Sequence, residues 1–148
     1  MILAMMLVVA AQLCPHPNLP PAHELDDVKE VVARRAHDLY PEMDPSWTET
    51  ALYDPARLTV RFAVWDSGPI GTSSWTAGRF PITVTVYTSA ALGKVHSWES
   101  ALIHELIHYL LAARYYEGLY PAHNGRWTPM TDAWIQSVKD ELRARECP

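Results

Sequence analysis

The stretch Ser100-Ala101-Leu102-Ile103-His104-Glu105-Leu106-Ile107-His108-Tyr109-Leu110-Leu111-Ala112-Ala113 decides how this chain folds. It is apolar around most of its circumference, and Glu105 is its only formally charged residue. A helix with that composition is buried. The spacing predicts a helix from Trp98 to Glu117, with Ser97 as its N-cap and Gly118 just beyond its end. Inside it lies His104-Glu105-Leu106-Ile107-His108. Four residues make about one helical turn, so both imidazoles project from one face and can share a cation. Glu105 is rotated by about 100° from His104, which puts it beside such a cation and not on it. At this composition about 0.02 such runs are expected by chance, so the run alone is a moderate signal. Its setting adds weight, because a carboxylate buried between two histidines must be offset by a partner or a metal. The plainer alternative is a hydrogen-bonded His–Glu cluster in the core.

A structural zinc site uses four protein ligands, whereas a catalytic one uses three and leaves a position for water. The metzincin pattern is excluded, because Leu111 and Arg114 stand where it requires glycine and histidine. Glu117, at the end of the same helix, and Asp132 are candidate third ligands. His123 is favoured over both, since its loop, LYPAHNGRW (119–127), can fold back under the helix. In this reading His104, His108 and His123 hold Zn2+, and Glu105 is the general base for a metal-activated water, whose pKa zinc lowers towards neutrality. Arg126 and Tyr120 share the third-ligand loop and are candidate oxyanion or substrate contacts, against the plainer reading as loop-surface or packing residues. His16, His23, His37 and His96 show no partner pattern.

Outward from this helix, Leu25, Val28, Val31, Val32, Ala36 and Leu39 recur at helical spacing from Glu24 to about Leu39, with Pro41 and Pro45 beyond the end. Two strands follow, over 57–65 and 82–88, each alternating apolar with polar or small residues. Between them Gly68, Pro69, Gly71 and Gly78 read as a loop with turns. If Ile82–Thr88 is a sheet edge lining the cleft, its backbone can pair with an extended peptide. A last helix is expected from about Thr131 to Arg145, with Thr128 and Pro129 as cap and first position. The order gives one α+β domain, a small antiparallel or mixed sheet packed on the central helix with helices flanking it at both ends of the chain.

The chain has 148 residues, which suits a single core. Its formal net charge of −5 argues against direct nucleic-acid binding, which needs clustered Lys and Arg. The first 13 residues are too short for a membrane span. They resemble the apolar part of a secretory signal, but no Lys or Arg precedes them. The balance leans to the cytoplasm, with secretion following if residues 1–11 are a short signal segment. Residues 14–21 are proline-dense and read as an extended lead-in. Cys14 and Cys147 are either unrelated thiols or one disulfide joining the ends.

The run His104–His108 and, 14 intervening residues later, His123-Asn124-Gly125-Arg126-Trp127-Thr128-Pro129-Met130 resemble the SprT-like (Spartan-type) metalloprotease domain. That family has H-E-x-x-H, a loop, and a His-Gly-x-x-(Trp/Phe) segment leading into a helix. The stretch AGRFPITVTVYTSAAL (77–92) is similar to its glycine-then-strand segment before the active-site helix. The likeness spans Glu24 to Arg145, with residues 22–148 as the domain and 1–21 preceding it. It implies a zincin-like fold, three histidine ligands to zinc, Glu105 as base, Trp127 packing the third-ligand loop, and a protein or peptide substrate. Met130 falls near a position where the family often has Met. Two departures stand out: glycine is at 125 and not directly after the histidine, and no zinc ribbon or DNA-binding module follows, so the chain looks like a bare catalytic core. Rival readings are a zincin-fold accessory or binding module without turnover, and a zinc hydrolase of a non-peptide amide.

Overall fold

The computed structural model describes residues 22–64, 71–74, 79–88, 98–116, 123 and 125–146. The N-terminal segment 1–21, Cys14, Cys147, His96, Ser97, Glu117 and Tyr120 lie outside the described residues. Helix α1 (Ala22–Leu39) begins two residues earlier than the spacing predicts. Its apolar stripe works as expected: Val28, Val31, Val32 and Ala36 are buried, with Leu25 and Leu39 packed at the margin.

A helix that the spacing did not predict comes next, α2 (Pro45–Tyr53). Pro45 opens this helix instead of merely following α1. The Asp44 carboxylate accepts hydrogen bonds from the backbone N–H groups of Ser46 (2.9 Å) and Trp47 (3.2 Å), two donors with no partner inside the helix. Proline at the first position gives up an N–H that would be unpaired anyway. Thr48, Ala51 and Leu52 are buried beneath it.

The strands β1 (Leu58–Val64), β2 (Gly71–Ser74) and β3 (Ile82–Thr88) form a mixed sheet in the order β1-β3-β2. β1 runs parallel to β3 with Leu58 opposite Ile82, and β2 antiparallel with Gly71 opposite Val86. Alternation along β3 places Ile82, Val84 and Val86 in the core. β2 replaces part of the expected loop. Its four residues are too short to show a period, and pairing with β3 is what makes them a strand. β3 is therefore the middle strand and not an edge, because its backbone is paired on both sides; among the described residues β2 is an outer strand.

Helix α3 (Trp98–Tyr115) ends earlier than expected, because Tyr116 takes the left-handed conformation (φ 59°) and its N–H returns to the Ala112 carbonyl at 3.0 Å. Leu102, Ile103, Leu106, Ile107, Leu110 and Leu111 have no exposed surface. That follows from its position: α3 packs against β3, β2, α1, α2 and the last helix, α4 (Pro129–Glu146). A continuously apolar helix is the one that can be covered on all sides. The Tyr109 hydroxyl, buried with it, donates to the Ala51 carbonyl of α2 at 2.6 Å. α4 begins at Pro129, the position expected for its first residue, and buries Trp134, Ile135, Val138 and Leu142. Arg35 of α1 ties it down, donating to Glu141 (3.1 Å) and Ser137 (2.9 Å). The chain is thus an α+β domain, with the sheet and the other helices arranged around α3. No helix among the described residues is long and apolar enough to cross a membrane.

Candidate metal centre

His104 and His108, one turn apart on α3, bring their Nε2 atoms to 3.1 Å. His123 comes from outside the helix, and its Nε2 lies 3.1 Å from that of His104. One ligand atom from each of the three lies within 4.8 Å of the others, close enough for the group to hold a metal ion. Two metal–imidazole bonds of about 2.0–2.1 Å at a tetrahedral angle would set their nitrogens about 3.3 Å apart. Hydrogen bonding alone fits the cluster poorly. As a donor, His104 Nε2 can serve only one of its two neighbours; as an acceptor, it has one lone pair for both. A cation takes a lone pair from each ring, so the donor set suits a metal.

Burial grades across the cluster: His108 is buried at 4% exposure, His104 is half-buried and His123 exposed. The site is closed on the helix side and open beside His123. Desolvation lowers the His104 pKa to about 4; the nearby His123 adds to this and the Asp132 charge opposes it. His104 is therefore neutral at pH 7, the form a metal binds.

Glu105 is 6% exposed and does not belong to the ligand cluster. Asp132, exposed in the first turn of α4, acts on His104 electrostatically but is not in the cluster either. Among the described residues His123 completes the group.

Trp127 contributes more than loop packing. At 6% exposure, its ring centroid lies 4.4 Å from that of His108, 4.6 Å from His123 and 4.7 Å from His104. Gly125 has φ 63°, a left-handed backbone conformation that glycine adopts without the Cβ crowding other residues incur there.

The Arg126 guanidinium carbon lies 3.7 Å from the Tyr115 ring centroid. Tyr115 in turn donates to Glu42 at 3.0 Å. The Glu42 carboxyl is held below its ordinary pKa by a backbone N–H, then by the Tyr115 hydroxyl, with Arg126 and Arg114 adding to both. The Tyr40 hydroxyl reaches the Arg126 carbonyl at 3.4 Å. Tyr40, Glu42 and Tyr115 thus anchor the segment that follows His123, and sequence reasoning passed over all three. Only Tyr115 left a signal, since it falls two turns after His108 on the same face of α3.

Comparisons with protein-family models, curated proteins and solved structures find no match for this chain.

Proposed function

We propose that the chain is a zinc-dependent metallopeptidase of the SprT-like, zincin type, with His104, His108 and His123 as ligands. The convergence of three imidazole nitrogens beside a buried glutamate carries this reading. Among the described residues three protein ligands converge and His123 is exposed, which suits a catalytic site with a position left for water. Zinc, when bound, supplies Lewis acidity that polarises a carbonyl and brings the pKa of water towards neutrality. Glu105 accepts the proton from that water at its carboxylate and passes it to the leaving amine. Trp127 and the apolar face of α3 exclude water from behind the ligands, which strengthens electrostatic interactions at the centre. β2, the outer strand packed beside α3, offers backbone groups with which an extended peptide can pair.

The test compares wild type with Glu105→Gln on an unfolded-protein substrate, with zinc content measured in both. Full zinc occupancy in each, with cleavage by the wild type and a loss of at least about 100-fold in the variant, is expected. Zinc in both and cleavage by neither would instead support a binding module that keeps the metal without turnover.

A further inference from the structure

We propose that Trp127 is the positioning residue of the histidine cluster: its indole fixes the orientation of all three imidazoles, so metal affinity depends on it. The inference rests on the three-histidine metal site proposed above and adds a determinant of its affinity. Trp127 meets the three rings at three different inclinations, 21° to His108, 38° to His123 and 53° to His104. The histidine rings themselves differ widely, His104 standing at 70° to His108 and 82° to His123 while His108 and His123 lie within 17°. One wide, rigid side chain in contact with all of them limits rotation of each ring. Rings held this way keep Nε2 directed at a shared point before any ion arrives.

The indole is itself held independently of a metal. The turn at Gly125, the Tyr40 hydroxyl on the Arg126 carbonyl and the Arg126 guanidinium over Tyr115 fix the backbone leading into it. Its burial at 6% exposure leaves it little room to swing away. Outer-shell groups that orient metal ligands commonly account for about 10- to 100-fold in affinity, usually through a hydrogen bond. Here ring-on-ring packing does the orienting, and it acts on three ligands at once.

The experiment uses the full chain, stripped of metal and titrated with Zn2+ against a chelating indicator, and separately with Co2+. Trp127→Ala is expected to bind Zn2+ about 10- to 100-fold more weakly, and Trp127→Phe to recover most of the loss. Co2+, an open-shell ion, should quench part of the tryptophan emission in the wild type. Trp127→Phe should bind Co2+ while lacking that quenched component, and Trp127→Ala should show a changed visible Co2+ absorption. A role limited to filling the core would lower the melting temperature and leave the affinity and the Co2+ spectrum of the folded protein unchanged.

Unchanged Zn2+ affinity in Trp127→Ala overturns the inference while leaving the metal site standing. If that variant does not fold, Co2+ quenching in Trp127→Phe equal to that of the wild type overturns it instead. Failure of the wild type to bind either ion overturns the three-histidine reading, and this inference with it.

Discussion

His104 sits at the pivot of the cluster, with His108 on one side and His123 on the other at the same 3.1 Å. Each histidine has a different support. His108 is locked in the core, His104 is held by α3, and His123 depends on a segment anchored through Trp127 and Arg126. His123→Ala should therefore lower zinc occupancy sharply while α3 keeps its fold, as read by metal analysis beside circular dichroism. Unchanged occupancy would remove His123 from the ligand set. The pairing of His104 with His108 beside Glu105 was legible in the sequence because the three residues lie within about one turn, where local geometry sets which face each takes. Where Arg126 points was not legible, because the ring that receives it and the carboxylate beyond that ring come from distant parts of the chain.

Among the elements, α1, β1, β3, α3 and α4 follow from periodicity, and α2 and β2 do not. α2 is short, and its signal is an Asp-Pro start that also suits the end of the preceding helix. Asp44→Ala should lower stability by about 1 kcal/mol, measured by urea unfolding, because it strips the cap from the Ser46 and Trp47 N–H groups. No effect would mean that α2 is held by packing alone. The Tyr109 hydroxyl of α3 joins the two helices by donating to the Ala51 carbonyl of α2. Burial raises the Tyr109 pKa, so the hydroxyl stays protonated and donates. Tyr109→Phe should cost about 1–2 kcal/mol in the same assay, with metal content unaltered. β2 was illegible because four residues acquire strand character only from the partner beside them.

For the molecule as a whole, the His104 environment links stability to pH. Its folded pKa of about 4 lies below the ordinary 6.5, so between these values the unfolded chain binds a proton that the folded chain refuses. Metal-free protein should hold its stability above about pH 6.5 and lose it progressively as pH falls towards 4. Glu141 acts in the same direction at the acid end. Burial works against its charge, but Arg34, Arg35 and Arg145 outweigh this and lower its pKa, so its contribution fades as the carboxylate takes up a proton. Urea midpoints of the metal-free protein at pH 7.5, 6 and 5 check the histidine effect, and His104→Phe should flatten the slope. A midpoint independent of pH over that range in the wild type would contradict it.

The sequence by itself determined the central helix and the local half of the candidate site, because burial of an apolar helix and the spacing of His104, Glu105 and His108 are properties of consecutive residues. It also determined where β3 faces the core, through its alternation. Only the tertiary structure decided that β3 is the middle strand, that Pro45 starts a helix, and that Trp127 lies against all three imidazoles. The start at Pro45 rests on a local Asp-Pro cap that equally suits the end of a helix, whereas the strand order and the Trp127 contacts join segments distant in the chain. Such contacts are set by how the layers close around α3, which no local pattern encodes.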